Sequence, residues 1–185
     1  MKKLLSLALA LCLLCAGAAL AEAVTEKTTL QLDGFTLTLL PGEVYQRADE
    51  IVVNQPYLTA FPFAAENDLA TNYVIHTTGE KTEYTAEQMK SILSGIEEGL
   101  RSGMEAQGIQ VVSLNIQDPY DANLNGVSCV VLEYSMELSY SGVSMQVFTR
   151  QISVGSVATV FTLTAASEED MDKLTQRLAE ALDFR

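Results

Sequence analysis

One stretch, Gly126 to Ala166, restricts the fold of this chain more than any other. Val, Ile, Thr, Tyr and Phe recur there with period-two alternation between Gly-containing turns, the pattern of an antiparallel meander of three strands. The first turn, Ser141-Gly142, sets a register that can be checked side chain by side chain. With those two residues as the loop, Tyr140 faces Val143, Leu138 faces Met145 and Met136 faces Val147, all on one face. On the other face Ser139 meets Ser144, Glu137 meets Gln146 and Glu133 meets the opposite charge of Arg150. A slip of one residue would turn Glu133, Glu137 and Ser139 into the core, so this register is the expected one.

The same strand carries a second expectation. Val127, Cys129 and Val131 are apolar on the face where Glu133, Ser135 and Glu137 are polar. Its start is therefore expected to be covered on both faces and its end on one, most simply by a helix over part of the second face. The third strand, Val157 to Ala165, leaves its facing open. A two-residue loop near Gly155-Ser156 and a three-residue loop send Phe161 and Leu163 to opposite sides of the sheet.

The first 21 residues read differently from the rest. Lys2 and Lys3 precede an apolar run, Leu4 to Leu14, too short to span a bilayer comfortably, and Ala19-Leu20-Ala21 gives a small-residue cleavage site before Glu22. The reading is a secretory signal peptide over 1–21 and a secreted or periplasmic mature chain with no stable membrane insertion. Cys12 and Cys15 raise the alternative of a lipoprotein, but Leu11 and Leu14 stand where lipidation needs a small residue. Without residues 1–21 the chain has 9 Lys and Arg against 24 Asp and Glu, a net charge of −15. That excludes nucleic acid or an anionic membrane surface as a partner, since both require a positive patch. Only Cys129 then remains, so no intramolecular disulfide forms, and its place between Val127 and Val131 makes it a small buried hydrophobe.

Residues 22–29 read as a flexible lead and 30–185 as one domain. Leu30 and Leu32, then Asp33-Gly34, then Phe35, Leu37 and Leu39 form a hairpin signal closed by Pro41-Gly42. Val44 to Asp68 is the least regular segment, with short strands expected at Ile51 to Val53 and Leu58 to Phe61. Exposed, its aromatics Tyr57, Phe61 and Phe63 would form a groove for a partner; buried, they would pack over a sheet edge or under a helix, the commoner fate of aromatics in a small domain. Leu69 to His76 reads as a strand with Leu69, Thr71, Tyr73 and Ile75 on one face. Thr85 to Gln88 is a capping box ahead of an amphipathic helix marked by Met89, Ile92, Leu93, Ile96, Leu100 and Met104 and ending near Gly108. A strand follows at Ile109 to Ile116, then an Asp118 to Gly126 loop. After the meander, Ser167 caps a second helix through Met171, Leu174, Leu178 and Leu182, with Glu168, Glu169 and Asp170 in its first turn.

The chemistry of familiar active sites is hard to assemble from these residues. His76 is the one histidine, reads as a solvated strand-end residue, and has no nucleophile motif to serve. Zinc would have His76 and Cys129 to draw on, and no Gly-rich phosphate loop occurs. A carboxylate pair at glycosidase spacing is a third possibility that sequence alone does not resolve. Asp121, Asn123, Asn125 and Gly126 match the opening half of a calcium loop. The bidentate acid, however, should stand where Leu132 stands, and Glu133 is one residue late. The competing reading is an Asn-Gly turn with Asp121 and Asn123 capping backbone.

Gly34-Phe35-Thr36-Leu37-Thr38-Leu39-Leu40-Pro41, the strand Gly126 to Tyr134 with its Leu-x-Tyr ending, and the final Leu182-Asp183-Phe184-Arg185 together resemble the PsbP-like superfamily (exported bacterial PsbP/DcrB-like proteins), over about Leu30 to Arg185. The tryptophan that usually follows the early proline is missing, with Val44 or Tyr45 in its place. The resemblance implies an α+β fold, a central antiparallel sheet of about six to seven strands flanked by two main helices in an α/β/α sandwich. It also implies a non-enzymatic accessory or binding role and supplies no catalytic residue; no cofactor is expected, calcium aside. The expected function is thus an exported binding module for another exported or cell-envelope protein; the alternative is a calcium-stabilised extracellular binding or adhesion domain.

Overall fold

A computed structural model describes residues 21–185. The leader reading, with Cys12 and Cys15, falls on residues 1–20 and so lies outside the described residues. In chain order the elements are β1 (Glu22–Ala23), β2 (Thr28–Leu32), β3 (Phe35–Leu39), β4 (Val44–Arg47), β5 (Pro56–Phe61), β6 (Asn72–Thr77), α1 (Ala86–Lys90) and α2 (Leu93–Glu105). There follow β7 (Gln110–Ile116), β8 (Tyr120–Leu124), β9 (Val127–Tyr140), β10 (Val143–Val154), β11 (Thr159–Ala165), α3 (Glu168–Ala181) and β12 (Leu182–Phe184).

The fold is α+β with a large antiparallel sheet. Its strands run β1-β4-β5-β6-β11-β10-β9, and the far side of β9 is shared by two strands. β8 pairs with Val127–Val131 of β9 and β7 with its Tyr134–Ser139 part. A second, three-stranded sheet runs β12-β3-β2. Nine strands plus three replace the six to seven expected. The surplus comes from strands too short for a periodic signal, β1, β4, β8 and β12, and from β9, whose 14 residues accommodate two neighbours side by side.

The hairpin register is the expected one, with Tyr140 opposite Val143, Met136 opposite Val147 and Glu133 opposite Arg150. Ser141 and Gly142 both have positive φ, 52° and 83°, the backbone of the tight hairpin turn whose twist matches its strands. The β10–β11 connection is neither of the two lengths considered. Four residues, Gly155 to Ala158, separate the pair Val154 and Thr159, and this sets Phe161 beside Ile152.

That placement builds the main core. Val131, Ile152, Phe161, Ile75 and Leu58 form one row across five strands. Over it lie Met171, Leu174, Leu178 and Ala181 of α3 and Phe35, Leu37 and Leu39 of β3. The opposite face of β9 and β10 receives Ile96, Leu100 and Met104 of α2 on Leu132, Tyr134, Met136, Leu138 and Val147. The double cover expected at the start of β9 is present, since Cys129, Val130, Val131 and Leu132 are all buried. Next to the α2 core, on the same face, Thr149, Gln151, Thr162, Thr164 and Asn72 form a buried polar patch on β10, β11 and β6.

Several expectations are corrected. Residues 22–29 are held rather than flexible: β1 pairs with β4, Val24 is buried, and β2 begins at Thr28. Ile51 to Val53 is exposed and outside any strand. Leu69 is exposed and precedes β6, which begins at Asn72; Thr71, Tyr73 and Ile75 are buried. The helix behind Thr85 is broken at Ser91-Ile92. The Ser91 hydroxyl donates to the Gln88 carbonyl at 2.7 Å, which competes with continued helix, and Ile92 turns out to solvent. The Thr85 capping box and the Ser167 cap form as expected.

Candidate functional site

Two features of the surface stand apart from the core: a small polar groove and an uncharged end of the large sheet. The groove has a volume of about 250 Å³ and lies between the segment before α1 and the starts of β8 and β9. Tyr84, Asp121, Ser128, Cys129, Ser153 and Gly155 contribute to its walls. The capping box fixes its rim: the Thr85 hydroxyl accepts from the Gln88 amide, the Gln88 side chain accepts from the Thr85 amide, and the Ala86 N–H donates to Asp121 Oδ1 at 2.9 Å. Its floor depends on Gly155. A Cβ there would stand 2.3 Å from the Thr82 carbonyl oxygen and 2.7 Å from Glu83 Cα, so only glycine lets the two backbones cross. Gly155→Ala is expected to displace residues 82–83, widen the groove and cost about 1–3 kcal/mol. A thiol reagent should then modify Cys129 markedly faster, and an unchanged labelling rate would show that the crossing does not guard the groove.

The groove lacks an activated nucleophile. Burial pushes the Cys129 thiol up, and the Asp121 carboxylate pushes it further, so it is a thiol and not a thiolate at neutral pH. His76 does not line the groove. It lies on β6 opposite Pro56 and Val160, and burial pushes its imidazole down to about 4. The expectation of a solvated strand-end histidine is corrected: the residue is half-buried, and its imidazole is neutral at neutral pH.

The residues of the half calcium loop separate. Asp121 to Leu124 belongs to β8 and not to a loop, and Asn125-Gly126 is its turn into β9, with φ of 51° and 88°. Asp121 accepts from Ala86, Asn123 Oδ1 accepts from the Gly126 N–H at 2.7 Å, and Asn125 Nδ2 donates to the Ala179 and Leu182 carbonyls at 2.6 and 2.9 Å. The three side chains thus serve a helix start, a turn and a helix end. Among the described residues no group of three or more His, Cys, Asp or Glu side chains could hold a metal ion.

The aromatics proposed as a partner groove are not free to form one. Tyr57 is buried in the main core, where burial pushes its phenol up to about 12. Phe61 is buried and Phe63 packs half-buried against the same core. Two acids drawn into the fold are also committed. Glu133 pairs with Arg150 at 2.6 Å and accepts from the Tyr120 hydroxyl, while Arg150 also donates to Thr175 of α3. Glu43 pairs with Arg177 at 2.6 Å. The first pair followed from the hairpin register, whereas nothing local in the sequence signals the second.

The uncharged end is formed by the tip of the β9–β10 hairpin and by β7. Pairing of β11 stops at Ala165 with Phe148, so Val143 to Val147 extends past it. Beyond the α2 core, Tyr140, Val143 and Met145 are 59%, 66% and 57% exposed, on the face that buries Met136 and Val147 further back. Neither Leu138 to Thr149 nor Ile109 to Gln117 contains a charged residue, in a chain of formal net charge −13. No protein-family model and no curated protein matches this chain. Among the described residues no helix is long and apolar enough to cross a membrane.

Proposed function

We propose that this protein is an exported, non-catalytic binding or accessory module that contacts another exported or cell-envelope protein through the β9–β10 hairpin tip. The observation that carries the reading is the exposure of Tyr140, Val143 and Met145 together at the tip of the β9–β10 hairpin. Large apolar side chains gathered on an otherwise acidic surface mark an interaction site, and an uncharged patch selects a partner by shape and apolar area rather than by opposite charge. The resemblance to PsbP-like proteins and the signal-peptide pattern read in the sequence of residues 1–21 support the accessory role and the export. The protonated thiol of Cys129 and the arginine-bound states of Glu133 and Glu43 support a role without catalysis.

A photocrosslinking residue at position 143, expressed in the native host, tests this. A discrete protein adduct is expected. Tyr140→Ser with Met145→Asp should abolish it while changing folding stability by no more than about 0.5 kcal/mol, as befits exposed positions. Absence of any discrete adduct, or an adduct indifferent to those substitutions, would sink the proposal.

A further inference from the structure

A different part of the uncharged end leads to a second inference, carried by backbone pairing rather than by exposed side chains. β7 pairs with β9 along one side. Its other side carries no partner strand among the described elements, so seven residues of backbone N–H and C=O, about 23 Å of strand, form a sheet edge. Such edges are ordinarily protected by lysine, by proline, by a bulge, by inward charge or by extreme shortness. The opposite edge of the sheet has the last of these, since β1 is two residues long. β7 has no charge and no proline; its one such device is a bulge between Val111 and Ser113.

From this edge we infer that β7 pairs antiparallel with β7 of a second copy of the chain, joining two large sheets across a twofold axis. Charge decides the occupant. A basic partner is drawn to the acidic body of the protein, whereas β7 itself carries no charge. Two acidic copies repel each other everywhere except where both are neutral. A twofold pairing centred on Ser113 sets Val112 against Leu114, Val111 against Asn115 and Gln110 against Ile116, with no charged residue in the ladder. Glu137 stands across from Ser113 on β9. In the pair it would lie three strand spacings from its mate, about 14 Å, beyond the Debye length of about 8 Å at physiological salt. A twofold contact is also the commonest way for one surface to meet itself.

Sedimentation equilibrium of the chain from Glu22 onward tests the pairing. The expected result is a concentration-dependent dimer that tightens from low to high salt, because salt screens the repulsion between two acidic bodies. A dimer held by opposite charges would loosen instead, which would overturn the inference. Ser113→Lys, whose side chain would face its own copy across the axis, should weaken the dimer about tenfold or more. Mixing the Ser113→Lys and Ser113→Glu chains should restore association as a heterodimer, which a merely misfolded variant could not do. A monomer at all concentrations and salts, or a dimer unmoved by the charge at position 113, would refute the pairing. The hairpin-tip proposal is decided separately, by the adduct at position 143.

Discussion

Replacing Arg177 by methionine is expected to lower the free energy of unfolding by about 3–5 kcal/mol. Arg177 lies on α3 and reaches the turn between β3 and β4. Its Nε donates to Glu43 Oε1 at 2.6 Å and its Nη2 donates to the Thr38 carbonyl at 2.9 Å. The other Glu43 oxygen, Oε2, accepts from the Leu40 N–H at 3.1 Å. Both side chains are withdrawn from water, at 12% and 4% exposure. Methionine would fill much of the space but leave a buried carboxylate with one amide for company, and that uncompensated charge is the source of the cost. The double variant Glu43→Gln with Arg177→Met removes the charge along with its partner, so it should recover a substantial part of the loss. Urea denaturation of the two single variants and the double closes the cycle. A loss below about 1 kcal/mol for Arg177→Met would mean that the pair behaves as a surface pair, open to solvent.

Phe35→Ala should be as damaging, at about 3–5 kcal/mol. Phe35 is fully buried where the two sheets meet. Its ring centroid lies 5.5 Å from that of Phe161 in an edge-on arrangement and 5.8 Å from that of Phe184. Truncation opens a cavity bounded by the large sheet on one side and β12 on the other, two layers that cannot collapse onto it without moving apart from the rest of the core. Phe35→Leu keeps much of the volume and should cost well under half as much. Hydrogen exchange supplies the site-specific test: amides of β2, β3 and β12 should lose protection in Phe35→Ala before those of β10 and β11. Equal loss across both sheets would show that the small sheet is not an independently opening unit.

The parts of the structure legible in the sequence were those decided locally. The Ser141-Gly142 register followed because a one-residue slip would have buried Glu133 and Glu137. The caps at Thr85 and Ser167 followed because they satisfy helix ends within three residues. What was missed was decided by distant partners. Glu43 and Arg177 are 134 residues apart. β8 carries few apolar residues and so read as a cation loop, when its order comes from lying against β9. Thr149, Gln151, Thr162 and Thr164 alternate as a solvated strand face would, yet they are buried. His76 was placed in solvent for the same reason, because polarity stood in for exposure. As for the site, Tyr57, Phe61 and Phe63 drew attention by composition and proved to be core. Tyr140, Val143 and Met145 had been assigned to the apolar face of the hairpin, but nothing in their alternation shows that the helix beneath that face ends first. That β7 lies at an edge is likewise a property of the sheet order and not of the strand.

The pairing of β12 with β3 bears on the order in which the chain folds. Leu182 to Phe184 pair with Leu37 to Phe35, across a loop of well over a hundred residues, and the Arg185 N–H adds a bond to the Gly34 carbonyl. Contacts this distant in sequence slow folding, because a long loop must be ordered before they form. Until that loop is ordered, Phe35 lacks Phe184 and the β2–β3 hairpin lacks its third strand. The contact that joins the two sheets is therefore set late, after the hairpins of the large sheet have had time to form.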